Sequence, residues 1–211
     1  MYSLPYFTEE DKEEVLRFMH AHPFVTLCGS DAAGRPFATQ VPLLFKEQDG
    51  RMILEGHIMR NTDHHKAFQQ NPQVLAIFTS AHTYVSASWY SNPNQASTWN
   101  YQSVHARGNL SFIEEEELRR VLKETTEKYE NHRESPASFH NLQPEYINRL
   151  IKAIVGFRIP VDEIGNVFKL SQNRDEESFD NIMQKLNAQD EDGRKIASEM
   201  NRIKEKLFNK K

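Results

Sequence analysis

Along the first half of the chain, apolar residues come in short runs with strand character, at 24–30, 36–45, 51–58, 73–79 and 103–112, with 83–88 extended as well. Polar turns separate them. Asp31-Ala32-Ala33-Gly34 closes one hairpin, and Gln48-Asp49-Gly50 closes another with an Asp-Gly pair that suits tight turns. Pro42 implies a bulge or an edge position, because proline cannot donate to a strand ladder. Helical spacing appears first near the start, where Thr8 is the expected N-cap, Asp11 its box partner, and Val15, Leu16, Phe18 and Met19 the buried stripe. A brief helix capped by Thr62 or Asp63 ends before Asn71-Pro72. After Ile113 the pattern turns helical at 114–129 and again from Pro144, a first-turn proline, to Lys152. A strand at 154–161, a Gly165-Asn166 turn and a short extended piece at 167–170 follow, then helices at 176–186 and 192–208. Strands joined by short turns, with one brief helix among them, predict an α+β fold that is mainly antiparallel β, a barrel rather than a doubly wound sheet. Ile196, Met200, Ile203 and Leu207 form a stripe that packs on its own domain or on a partner helix, and the basic end (Lys204, Lys206, Lys210, Lys211) is expected to be solvated.

The 211 residues suit one domain at 1–186, followed by a C-terminal helix and basic tail at 187–211. Net charge is -4, which gives DNA binding no support. The single cysteine, Cys28, rules out an internal disulfide and sits in an apolar run as a small buried side chain. No apolar run reaches the roughly 18 residues of a membrane span, and the first residues lack a signal-peptide pattern, so the expected location is the cytoplasm.

Chemistry gathers at the strand-to-helix junction holding His57, Arg60, Asn61, Thr62, His64, His65 and Lys66. A helix start offers unpaired N–H groups and a positive dipole end. Arg60 and Lys66 add full charge, and Asn61 and Thr62 add hydrogen bonds, so the junction suits a phosphomonoester; the alternative is a solvated polar turn. The histidines match no zinc spacing, and no metal is expected. Tyr84, Trp89, Tyr90, Trp99 and Tyr101 either flank a planar ring or pack core and interface. No Ser-His-Asp order, GxSxG, P-loop or GxGxxG occurs.

Several segments together resemble the PaiB-like family of FMN-binding negative transcriptional regulators: HPFVTL at 22–27, PFATQVPLLF at 36–45, GHIMRN at 56–61, YVSASWY at 84–90, TWNYQSVHARG at 98–108 and GFRIP…FKLSQNR at 156–174. The turn at 56–72 is also similar to the phosphate-gripping turn of the wider pyridoxamine phosphate oxidase-like flavoproteins. The resemblance implies a split β-barrel with flanking helices and a helical C-terminal extension, working as a homodimer with FMN at the subunit interface. It implies that Arg60 and Lys66 hold the phosphate with His57 and Asn61 nearby, and that Thr39, Gln40 and Val41 line the flavin ring. Trp99, Asn100 and Tyr101 would approach the site, and Lys169, Ser171, Gln172, Asn173 and Arg174 would form a late motif near the cofactor. Gln40 stands where the family usually has histidine, and Thr62-Asp63-His64-His65 replaces a proline-aromatic turn. Gln40 still hydrogen-bonds but does not titrate near neutral pH. A flavin-dependent oxidoreductase and a haem-binding relative are the alternative functions.

Overall fold

The structure is a computed structural model and describes residues 4–130 and 135–208. The strands are β1 (Phe24–Ser30), β2 (Pro36–Pro42), β3 (Leu44–Gln48), β4 (Arg51–Met59), β5 (Gln73–Val85), β6 (Thr98–Asn109), β7 (Ser111–Ile113) and β8 (Ile154–Lys169). They run in the order β2-β1-β5-β6-β8-β4-β3, with β7 paired to β8. The β1–β2, β1–β5, β3–β4, β4–β8 and β7–β8 pairings are antiparallel. The chain divides into two compact units, one from residues 20–78 and 105–164, the other from 1–19, 79–104 and 165–211.

In the unit of residues 20–78 and 105–164, both predicted hairpins form. Asp31 Oδ1 accepts from the Ala33 and Arg35 N–H groups at 2.9 Å, fixing the first turn. Asp49 (φ 52°) and Gly50 (φ 73°) both take the left-handed conformation at the second, which is why an Asp-Gly pair stands there. The segment 36–45 is two strands rather than one. Pro42 ends β2, and the Leu43 N–H turns to the Pro23 carbonyl at 2.9 Å. Helix α2 (Asp63–Gln70) lays Phe68 against β1, so close to Gly29 that a Cβ there would sit 2.6 Å from the ring. Helix α3 (Glu115–Tyr129) and helix α4 (Pro144–Ala153) share an apolar cluster of Leu118, Ile147, Ile151 and Ile154. Cys28 is half-buried rather than fully buried, and burial pushes its thiol pKa up, which disfavours the thiolate.

In the other unit, helix α1 (Lys12–Ala21) begins three residues later than Thr8 as N-cap predicts. Thr8 instead closes a short 3-10 turn (Pro5–Phe7), and Asn166 pins Glu9 in extended form by accepting from its N–H at 2.8 Å and donating to its carbonyl at 3.0 Å. The same contact explains a second correction: Gly165 and Asn166 form no turn but lie inside the continuous 16-residue strand β8. Residues 83–88 likewise begin as the end of β5. Helices α5 (Glu176–Asn187) and α6 (Glu191–Phe208) close the core of this unit over Val85, Tyr90 and Leu170. Ile196 and Met200 are buried and Ile203 and Leu207 partly so, which settles their stripe as intramolecular packing. Lys204 pairs with Asp180, whereas Lys210 and Lys211 lie outside the described residues. No helix among the described residues is long and apolar enough to cross a membrane.

Candidate functional site

Strand β4 passes into α2 through a turn that depends on Asn61, held at φ 66°. Asparagine tolerates this left-handed conformation better than most side chains. Thr62 is the N-cap: its hydroxyl accepts from the His65 N–H at 3.3 Å and donates to the Met59 carbonyl at 3.0 Å. The Asn61 N–H donates to Nδ1 of His65 at 3.0 Å. That bond makes Nδ1 an acceptor and leaves the ring proton on Nε2. His65 is buried, edge-on to Phe112. Burial first, then the charges of Arg60, His64 and Lys66, push its pKa down.

A pH dependence of stability follows. His57, half-buried on β4 opposite Gly156, and His105 are also lowered by burial from the ordinary value of 6.5. Below that value the unfolded chain takes up protons that these folded side chains refuse, so stability present at pH 8 declines as the pH falls through 6.5 toward the depressed folded values. Urea midpoints measured from pH 8 to pH 5 should fall, and His65→Gln should flatten the slope.

The two cations stand differently. The Arg60 N–H donates to the Ala153 carbonyl and its guanidinium to the Ile154 carbonyl, both at 2.9 Å, placing the charge where the C-terminal end of α4 favours it. Arg60 also lines a cleft of about 530 Å³ with His65, Gln69, Lys152 and the acidic Glu114 and Glu115. Lys66 is exposed on the first turn of α2 and makes no ion pair among the described residues. On β2, Thr39 is half-buried, Gln40 exposed and Val41 buried, so the alternation puts Gln40 on the face opposite the other two.

The remaining predicted residues lie in the unit of 1–19, 79–104 and 165–211. There Trp99 is 51% exposed, with Tyr84 and His82 beside it at ring separations of 5.9 and 5.8 Å. Asn100 is fully buried; it accepts from the Ser171 hydroxyl at 3.1 Å and donates to the Met200 sulfur at 3.6 Å. Lys169 donates to the Thr98 hydroxyl at 2.5 Å, and burial lowers its pKa. Gln172 bridges the Leu170 N–H and the Phe168 carbonyl. Ser171 holds a φ of 63° between them. Asn173 is exposed, Tyr101 is half-buried, and Arg174 stacks 4.2 Å from the Tyr90 ring centroid. Asn100, Lys169, Ser171 and Gln172 thus tie the end of β8 together, and Trp99 and Asn173 are the members that meet solvent. Sequence reasoning missed Thr98 as the partner of Lys169 and Asp63 as a competitor at the helix start. The signal for Asp63 was an acidic side chain directly after an N-cap.

Strand order and short connections define the class, a split β-barrel of mainly antiparallel strands. Residues 1–163 match the family described as "Putative FMN-binding domain". The chain belongs to this family. It is 36% identical over 200 residues to "Protease synthase and sporulation protein PAI 2" of Bacillus subtilis (strain 168), covering 95% of this chain and 96% of that one. Among solved structures it is similar to an FAD and heme binding protein from Mycobacterium smegmatis (TM-score 0.57, 14% identity, covering 77% and 73% of the two chains). It is equally similar to the flavocytochrome Anf3 from Azotobacter vinelandii (TM-score 0.57, 16% identity, covering 85% and 78%). At those identities the two likenesses establish the fold alone. The chain is therefore an FMN-binding split-barrel protein resembling the negative transcriptional regulators of the PaiB type.

The residues at the turn fit a phosphate in part. Arg60 and Lys66 supply cationic donors, but in α2's first turn the His64 and His65 N–H groups are already taken by Asp63 and Thr62. When bound, FMN supplies the hydride and electron-transfer chemistry, while the protein orients the ring and sets its surroundings.

Proposed function

We propose that this chain holds the phosphate of FMN with the side chains of Arg60 and Lys66, backed by His57 and Asn61, and sets the flavin ring against the outer edge of β2 at Thr39, Gln40 and Val41, where residues of both faces border it. The observation that carries this reading is the pair of cations flanking a sharply turned helix start, one with spare N–H groups and one without an ion pair among the described residues. Arginine suits the role because its fork can bind two phosphate oxygens at once. Gln40 hydrogen-bonds the ring edge without exchanging a proton with it near neutral pH. A second copy of the chain would cover the exposed Trp99 and Tyr84 face and complete the site as a homodimer. The late motif of Lys169, Ser171, Gln172 and Asn173 shapes the backbone around Asn100 and Trp99 rather than gripping the cofactor through charge. The regulatory role of PaiB-type proteins is the biological context of this flavin site. The net charge of -4 gives DNA binding no support.

Titration of apo-protein into FMN, followed by flavin fluorescence, tests the phosphate assignment. Arg60→Ala with Lys66→Ala should weaken FMN binding about 30- to 100-fold, as expected for two charge-assisted contacts. Riboflavin, which lacks the phosphate, should be bound equally by both proteins. Equal FMN affinity in the two proteins would refute the assignment.

A further inference from the structure

The phosphate seat carries an anion of its own. The Asp63 carboxylate accepts from the His64 N–H at 2.7 Å and faces Nδ1 of the same residue at 3.2 Å. The other ring nitrogen of His64 lies 3.0 Å from the Thr62 hydroxyl. The imidazole is thus braced between the cap residue and the carboxylate. The Asn61 N–H is spent on His65, the His65 N–H on Thr62, and the Lys66 N–H on the Thr62 carbonyl. A phosphate arriving here finds the backbone donors of residues 61 and 64–66 engaged and a fixed negative charge at the positive end of the helix.

We infer that Asp63 sets how strongly this chain distinguishes FMN from uncharged riboflavin: it takes the helix start for itself and leaves the phosphate to the Arg60 and Lys66 side chains. The inference rests on the phosphate assignment above and adds to it a built-in competitor. Such a device makes cofactor retention weak and dependent on salt, because side-chain cations at a surface are screened whereas short helix N–H contacts are less so. The Asp63 side chain is 76% exposed, so its repulsion of the dianion is modest.

The test compares FMN and riboflavin titrations, by fluorescence quenching at low and high salt, for wild type, Asp63→Asn, Asp63→Ala and the Arg60→Ala/Lys66→Ala protein. Both Asp63 variants should bind FMN about 3- to 10-fold more tightly at low salt, with the gain shrinking at high salt and riboflavin affinity unmoved. Circular dichroism melting of each variant separates a binding change from a folding change. FMN affinity unchanged or weakened in both folded Asp63 variants, with the double cation variant selectively impaired, overturns the inference and leaves the phosphate assignment standing. Unchanged FMN affinity in the double cation variant overturns both. A gain that appears equally with riboflavin overturns the inference, because the effect would then not involve the phosphate.

Discussion

Gly108→Ala is expected to cost at least about 3 kcal/mol, enough to leave much of a marginally stable chain unfolded. A Cβ at this position in β6 would run into the Pro160 carbonyl oxygen and lie 2.8 Å from Cγ2 of Ile159, both on β8. The nearest obstacle is backbone in a neighbouring strand, so relief requires moving the ladder itself. Gly156→Ala provides the contrast. Its Cβ would meet only side-chain atoms, Ile113 at 2.7 and 2.8 Å and Leu118 at 3.2 Å, which can rotate away. A cost of about 1–2 kcal/mol is expected there. Gly34→Ala has open space but a φ of 79°, and its cost of about 1 kcal/mol should come from backbone strain alone. Urea denaturation with a common slope gives all three, and the order Gly108, Gly156, Gly34 is the result to look for. A Gly108→Ala protein as stable as wild type would show that β6 and β8 do not approach so closely.

Arg120→Met is expected to destabilise the protein by about 3 kcal/mol. Glu55 is 4% exposed on β4 and receives two guanidinium bonds from Arg120 of α3, at 2.8 and 2.9 Å. Lys46 is 3.8 Å away, and Glu124 shares both cations. Removing Arg120 leaves a buried carboxylate with one distant partner. Arg120 itself is about one-third exposed, so solvent offsets part of the loss and the figure sits at the low end of the range for broken buried pairs. Glu55→Leu alone frees an arginine that can turn to solvent, and should cost less. Pairing the two changes should recover most of the stability, because apolar residues of similar volume replace a desolvated ion pair well. A double-mutant cycle by chemical denaturation measures this directly. Additive losses would show that the two side chains do not act as a pair.

Local chemistry made much of the fold legible. Asp31–Gly34 and Asp49-Gly50 specify their turns through side-chain hydrogen bonds and left-handed backbone, and both lie where the sequence puts them. Thr62 caps α2 and Pro144 opens α4 for equally local reasons. The failures share a non-local cause. Thr8 and Asp11 spell a cap, yet Asn166, 157 residues from Glu9, holds the segment extended. Gly165-Asn166 spells a turn, yet the same contact keeps it in strand. At the candidate site, the residue types were legible but their engagement was not. Arg60's bond to a carbonyl 94 residues away, and the pairing of Asn100 with Ser171, depend on tertiary placement that periodicity does not encode.

The interleaving of the chain has a consequence for how the protein is made. The cluster that unites Val85 and Tyr90 with Leu170, Phe179 and Met200 draws on stretches distant in the sequence, Val85 and Met200 being more than a hundred residues apart. While the ribosome is still short of residue 200, Val85 and Tyr90 have emerged without the helix that covers them. This half of the molecule therefore matures late in synthesis and is where a nascent chain most needs protection from aggregation.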